Sequence, residues 1–157
     1  MIIRGSSRPD ILREEVLADL FEATAARQPD HTALIFGDIR ISYGELDERA
    51  SLMAHHLIGR GVRPGHIVGL WLPRGIDLLV SQLAIAKTGA AWLPFDADTP
   101  VDRIAVCLDD AQAIGIVSGH CLLAGLNDPG CPVWDQAGLL QATDAPLLRR
   151  QGASPDD

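Results

Sequence analysis

Three aspartates in the middle of the chain are the residues most suggestive of chemistry. Asp96, Asp98 and Asp102 follow an apolar run, and carboxylate oxygens are the ligands that hard cations prefer. Their spacing lacks the central glycine and the bidentate glutamate of a calcium loop. Capping and turn roles are therefore predicted for these three side chains.

Lys87 is the only lysine among the 157 residues, which makes it the obvious candidate for binding a phosphate group. It falls in the last turn of a predicted helix, where the helix dipole already favours a cation. We therefore predict a structural role for Lys87. No catalytic, cofactor-binding or metal-binding residue is predicted in this chain.

The cysteines and histidines do not form a recognisable metal or redox motif. Cys107, Cys121 and Cys131 are an odd number without a Cys-x-x-Cys pair, and they are predicted to be reduced apolar residues. His55 and His56 are adjacent on a predicted helix, where neighbouring side chains point about 100° apart. The two histidines therefore cannot share one ligand face.

Composition predicts a single folded domain without nucleic-acid or membrane partners. Hydrophobic residues make up 47% of the 157 residues, enough for a sizeable core. The net charge of −8 disfavours contact with phosphate backbones. No apolar run approaches the roughly 18 residues of a membrane span, and the N-terminus lacks the apolar core of a signal peptide. A cytoplasmic location is expected.

The first part of the chain predicts a helix, a β-hairpin and a second helix. Gly37-Asp38 is typical of a two-residue hairpin turn. Ser42 and Glu45 form a capping box, which opens the second helix. The predicted elements are a helix over 14–27, strands over 32–36 and 39–42, and a helix over 43–58.

The next part predicts buried strands alternating with helices. Gly89 is placed to end a helix in the left-handed conformation, and Thr99-Pro100 predicts a Thr99 cap for the following helix. Pro94 requires the strand around it to end early or to lie where one ladder bond can be omitted. The predicted buried strands are 67–72, 91–95 and 113–117, followed by a short helix at Leu122 and a last strand at 132–134.

The predicted fold class is α/β. A parallel βαβαβ sheet is flanked by helices and is preceded by an N-terminal helix and a β-hairpin. The predicted organisation is a flexible lead-in over residues 1–12, a folded body over 13–144 and a tail or truncated linker over 145–157.

Two stretches of the chain carry a family resemblance. Ala86-Lys-Thr-Gly-Ala-Ala-Trp-Leu-Pro-Phe-Asp96 resembles the second core motif of the adenylation domains of non-ribosomal peptide synthetases. Leu20-Phe-Glu22 and Ile41-Ser-Tyr-Gly-Glu-Leu46 are similar to the usual beginning of those domains, in the right order. The motif departs from the usual form at several positions, which are Thr88, Trp92, Ala97 and Thr99.

The resemblance implies that residues 13–144 are the N-terminal portion of an adenylation domain, a partial N-terminal subdomain of an adenylate-forming (AMP-binding) ligase, a group that includes acyl-CoA synthetases. An intact enzyme of this family would use ATP and Mg²⁺ as co-substrates. It would pass the activated acid to a phosphopantetheine thiol on a carrier domain. The expected partners are the remainder of the adenylation domain and that carrier. Self-association through an exposed sheet edge is also expected.

The family's phosphate loop, a Ser/Thr-Gly-rich segment ending in Pro-Lys-Gly, does not occur in this sequence. The chain is therefore predicted to be inactive alone and to bind no cofactor. The main alternative is a stand-alone, non-catalytic α/β module that binds a partner or regulates. A third possibility, a small nucleotide-binding protein of flavodoxin type, rests on the βαβαβ pattern alone. The reading frame downstream distinguishes a fragment from a stand-alone module.

Overall fold

The computed structural model describes residues 15–123, 125 and 128–143, so the predicted lead-in and tail lie outside the described residues. The elements follow in chain order: α1 Leu17–Arg27, β1 Thr32–Phe36, β2 Ile39–Ser42, α2 Tyr43–Gly59, β3 Ile67–Trp71, α3 Ile76–Thr88, β4 Ala91–Phe95, α4 Val101–Asp110, β5 Gly115–Ser118, α5 His120–Leu123, β6 Val133–Asp135 and a 3₁₀ turn Gly138–Leu140. Within those ranges no helix is both long and apolar enough to cross a bilayer.

Four strands form a parallel sheet in the spatial order β4-β3-β5-β6. Strand β3 lies in the centre, where Gly69 is aligned with Leu93 of β4 and with Ile116 of β5. The predicted α/β class and the parallel βαβαβ sheet are therefore confirmed. The predicted last strand is also present, as β6.

The central strand is covered on both faces, which explains its continuous apolar sequence. Val68 and Leu70 point into a core built with α2 and α3, in which Leu57 and Ile85 are fully buried. Trp71, two residues from Gly69, belongs to a second cluster on the opposite face. That cluster packs against α4 and contains Ile104, Leu108 and Ile116.

Strand β4 is not the buried strand that its apolar sequence predicts. It forms one edge of the sheet, and the side chains of Ala91 and Pro94 are exposed. The N–H of Ala91 donates to the backbone oxygen of His66 at 2.9 Å. The backbone N–H groups of Ala91, Leu93 and Phe95 therefore point toward β3. The backbone nitrogen of Pro94 faces away from β3, so its missing N–H disrupts no hydrogen bond between the two strands.

The helix ends show one confirmed and one wrong prediction. Gly89 closes α3 with a φ of +81°, as its position predicts. The cap of α4 is Pro100 rather than Thr99, because the N–H groups of Arg103 and Ile104 donate to the Pro100 oxygen at 3.0 and 3.1 Å. The N–H of Thr99 instead donates to the Asp96 oxygen in the preceding turn, which delays the helix by one residue.

The β1–β2 hairpin has an apolar face that extends beyond the body of the protein. Directly paired residues share a face, and the pairs on this face are Leu34 with Ile41 and Phe36 with Ile39. Ile41 is buried in the core with α2. Phe36 and Ile39 are 54% and 56% exposed, so the outer half of this face has no cover among the described residues.

The capping box at the start of α2 provides a direct test of local structure. The Ser42 Oγ accepts from the Glu45 N–H at 3.2 Å, and a Glu45 carboxylate oxygen accepts from the Ser42 N–H at 3.0 Å. We expect Ser42→Ala to lower the free energy of unfolding by about 1 kcal/mol in urea titrations. Ser51→Ala, inside the same helix, is the control and should be neutral or slightly stabilising. Equal losses in both variants would contradict the assignment.

Candidate functional site

A ligand site is expected at the carboxyl edge of the parallel sheet. In open α/β sheets, ligands bind outside the carboxyl ends of the strands, where successive strands diverge to opposite sides. Strands β4 and β5 lie on opposite sides of β3, so this point falls between the ends of β3 and β5. Those ends are Trp71 and Ser118.

Side chains of the protein itself occupy this point. Trp71 is buried and its indole N–H donates to the backbone oxygen of Asp96 at 2.9 Å. Leu72 is also buried, and its Cδ2 atom lies 3.3 Å from where a Cβ would stand at Gly119. Trp71 and Leu72 thus place mainly apolar side chains at this end of the sheet.

A cleft of about 670 Å³ opens beside the ends of β3 and β4. Its polar lining includes Arg74, Gln82, Asp96 and Asp98. The structure does not bring Asp96, Asp98 and Asp102 together as a metal site, because no group of three or more His, Cys, Asp or Glu residues in the described ranges could hold an ion. The cleft thus presents one cation and two carboxylates, an unfavourable lining for a triphosphate.

Lys87 is held away from this cleft, between three helices. Only 7% of the residue is exposed, and its ammonium donates to Oε1 of Glu22 on α1. Asp47 Oδ1 on α2 lies 2.8 Å from the same nitrogen as an ion pair. Both carboxylates lie in or next to the stretches that carry the family resemblance, yet their convergence on Lys87 has no local signal in the sequence.

The cysteines and histidines form no catalytic arrangement within the described part of the chain. All three cysteines are free thiols, and partial burial raises the pKa of the Cys131 thiol. The rings of His55 and His56 have centroids 5.2 Å apart and are inclined at 71°. His56 Nε2 lies 3.0 Å from the Gln141 oxygen, a contact between α2 and the segment after β6.

The residues described here do not fit an ATP triphosphate. The single lysine is buried and paired with Glu22 and Asp47, so it cannot reach a phosphate without breaking both contacts. A phosphate site also needs several converging backbone N–H groups, and the polar lining of the cleft at β3 and β4 places Asp96 and Asp98 beside Arg74. No step of nucleotide chemistry can be assigned to these side chains.

Sequence comparison decides the family. Residues 21–150 match the family described as AMP-binding enzyme. The chain belongs to this family. The resemblance predicted from residues 20–46 and 86–96 is thereby confirmed, and AMP-binding enzymes use ATP-dependent chemistry.

A curated relative shows that the chain matches a small part of a much longer protein. The chain is 62% identical over 117 residues to the delta-poly-L-ornithine synthetase of Acinetobacter baumannii, an alignment that covers 74% of this chain and 9% of that protein. The chain therefore spans a small part of its relative's length.

Solved structures agree with this family assignment. The chain resembles the nonribosomal peptide synthetase FmoA3 with a TM-score of 0.81 and 33% identity, over 92% of this chain and 16% of the other. It also resembles the NpsA N-terminal subdomain of Klebsiella oxytoca in complex with anthranilyl-AMSN, with a TM-score of 0.74 and 27% identity. That match covers 87% of this chain and 36% of the subdomain. The fold is thus part of an adenylation N-terminal subdomain.

Three buried polar side chains lie close together at the carboxyl edge of the sheet. Ser118 Oγ, Asp135 Oδ1 and Gln136 Nε2 are buried side-chain atoms without a hydrogen-bond partner in the described structure. Ser118 and Asp135 end β5 and β6 and are aligned with each other, with Gln136 following. Polar residues that close two successive apolar strands are the only sequence signal for this cluster.

Proposed function

We propose that the chain is the N-terminal part of an amino-acid-adenylating domain of a non-ribosomal peptide synthetase and is inactive alone. The observation that carries this proposal is the 62% identity to a delta-poly-L-ornithine synthetase, of which the chain spans only 9%. The intact domain would join an amino-acid carboxylate to the α-phosphate of ATP, with Mg²⁺ bound and with release of pyrophosphate. It would then pass the amino acid to the phosphopantetheine thiol of a carrier domain. This chain contributes an early part of the scaffold rather than the reacting groups.

Inactivity of the isolated chain follows from the mismatch between its residues and a triphosphate. We expect no ATP–pyrophosphate exchange above background when the 157-residue chain is assayed with a panel of amino acids that includes ornithine. The complete adenylation domain of the Acinetobacter relative, assayed in parallel, is the positive control. Robust exchange by the isolated chain would contradict its proposed incompleteness.

A second candidate is a stand-alone partner-binding or regulatory module, and an apolar groove favours it. The groove has a volume of about 340 Å³ and lies between α1, the hairpin, α3 and β4. Leu17 and Leu79 line it and are 57% and 41% exposed. A continuing downstream reading frame with a Thr-Ser-Gly-rich segment and Pro-Lys-Gly would favour the adenylation domain, whereas a stop codon would favour the module.

We expect the isolated chain to self-associate, because its apolar groove and one sheet edge are uncovered in the described structure. Sedimentation velocity should show mass rising with concentration. Leu79→Glu, in the groove, should shift the distribution toward monomer. Val106→Glu is a matched control on α4, because Val106 is 68% exposed but does not line the groove. A wild-type monomer with a sharp melting transition would argue against a cut domain.

The remaining expectations concern location and partners. A cytoplasmic location is proposed. The net charge of −8 supports the proposed absence of nucleic-acid partners. The proposed partners are the remainder of the adenylation domain and a carrier domain.

A further inference from the structure

The middle of the sequence carries a local excess of positive charge. Residues 49–76 contain four arginines and three histidines but no aspartate or glutamate, although the whole chain has 21 acidic residues and a net charge of −8. The basic side chains of this stretch are therefore not interleaved with acidic ones along the chain, as charges on an ordinary solvated surface are.

Two of these arginines lie at the C-terminal end of α2. Arg60 Nη1 donates to the backbone oxygen of His56 at 3.1 Å. Arg63 Nη1 donates to the backbone oxygens of Ile58 and Val62, both at 2.7 Å. The two guanidiniums are thus anchored on carbonyl groups at and just after the end of the helix, where such groups lack partners within the helix.

A histidine adds a third polar group beside them. The backbone N–H of Arg63 donates to Nδ1 of His66 at 3.2 Å. Because Nδ1 accepts this bond, the proton of a neutral His66 ring is on Nε2, which is then a donor. We call the surface formed by Arg60, Arg63 and His66 the α2-end patch.

No carboxylate is paired with the two guanidiniums of the α2-end patch. Arg60 and Arg63 are exposed, and neither takes part in an ion pair within the described residues. A guanidinium has N–H donors on Nε, Nη1 and Nη2, and the contacts with the end of α2 use those on Nη1. The donors on Nε and Nη2 remain for a further acceptor, in the fork geometry that binds a carboxylate.

An acidic protein segment fits this patch better than a nucleic acid does. Proteins bind single strands largely by stacking bases on aromatic side chains, and residues 49–66 contain no Phe, Tyr or Trp. The net charge of −8 would also repel a polyanion that extends beyond the patch. A short acidic segment makes its contacts locally, within the roughly 8 Å over which charges act at physiological ionic strength.

We propose that the α2-end patch is a docking surface for an acidic peptide segment of a partner protein, whose carboxylates pair with Arg60 and Arg63. Both guanidiniums are already held by the end of α2, so binding orders fewer side chains than it would at free surface arginines. The docking does not depend on the proposed function, because no residue of the cleft beside β3 and β4 takes part in it.

Fluorescence anisotropy tests the docking with a defined probe. The full chain is titrated at low salt into a dye-labelled peptide of repeated Glu-Ala units and into the matched Gln-Ala peptide. We expect the Glu-Ala peptide to bind about tenfold more tightly than the Gln-Ala peptide and to lose affinity as salt is added. Equal binding of the two peptides would overturn the proposal.

Single substitutions locate the binding surface. Arg60→Gln and Arg63→Gln should each weaken binding of the Glu-Ala peptide about fivefold. Arg74→Gln removes the same charge from the same acid-free stretch, but Arg74 lines the cleft beside β3 and β4, so this control should bind like the wild type. Arg63→Lys keeps the charge without the fork and should recover part of the affinity that Arg63→Gln loses. Equal losses at Arg63 and Arg74 would show a non-specific effect of charge.

Chemical-shift mapping on the wild-type chain keeps the test free of any folding defect in the variants. The backbone amides of residues 59–66 should shift when the Glu-Ala peptide is added, and those next to Arg74 should not. Shifts spread evenly over the surface would overturn the proposal. Tighter binding of a single-stranded oligonucleotide than of the Glu-Ala peptide would assign the patch to nucleic acid and would overturn it as well.

Discussion

The double variant Glu22→Ala/Asp47→Ala is expected to lose about 3 kcal/mol of unfolding free energy, because it leaves the buried Lys87 ammonium without a counter-charge. The lysine side chain is 6% exposed, so water cannot replace the two carboxylates without rearrangement of the helices. Urea titration, in which the denaturant carries no charge, measures the loss.

Removal of the lysine should have a much smaller effect than removal of its partners. The Glu22 and Asp47 side chains are 41% and 34% exposed, so water can solvate them when the ammonium is absent. We expect Lys87→Met to change the unfolding free energy by about 1 kcal/mol or less, since Met fills similar space without a charge. The triple variant should recover most of the stability that the double variant loses.

This ordering distinguishes a buried cation from an ordinary surface ion pair. A surface pair would give losses below about 1 kcal/mol for either partner and would weaken with added salt. If Lys87→Met proved more destabilising than the loss of both carboxylates, the burial of Lys87 between α1, α2 and α3 would be the wrong explanation.

Gly115→Ala is expected to destabilise the chain by about 2 kcal/mol through overpacking against Trp134. A Cβ at position 115 would lie 2.5 Å from Trp134 Cη2 and 2.7 Å from Cζ2. The indole is rigid and the ring is largely buried over β5, so it can move aside only by leaving its place in the core. Thermal and urea unfolding of the variant measure the effect.

Two further variants keep this prediction specific. Gly59→Ala, at the end of α2, adds the same methyl group where no atom lies within 4 Å, and it should be neutral or slightly stabilising. Gly115→Ala combined with Trp134→Leu should cost less than the sum of the two single changes, since the smaller side chain relieves the clash. Additive losses would show that the methyl group and the ring do not compete for space.

Much of the fold could be predicted because its signals are local. The Ser42–Glu45 capping box marks the start of α2, and Gly89 marks the end of α3. Each signal involves groups within four residues, and the structure confirms both. The apolar runs predict parallel strands, but strand β4 was wrongly expected to be buried. An apolar run does not show whether a strand has a neighbour on each side, and only Pro94 indicated an edge.

The relations between distant residues could not be predicted. Glu22 and Asp47 are 65 and 40 positions from Lys87, and nothing in their local sequences shows that they converge. The clash that Gly115 avoids likewise depends on Trp134, which lies in the next strand, β6, beyond α5. The predicted cap of α4 was wrong by one residue. The Thr99 N–H donates to the Asp96 oxygen in a turn, and this hydrogen bond competes with helix initiation at Thr99.

The exposed apolar face of the β1–β2 hairpin has a consequence for folding during biosynthesis. Phe36 and Ile39 leave the ribosome before the sheet strands and remain open to solvent after this whole portion has folded. We expect a nascent chain with such a persistently exposed apolar surface to bind holdase chaperones. Translational pausing soon after this portion would then prolong exposure of that surface and favour coaggregation of neighbouring nascent chains on a polysome.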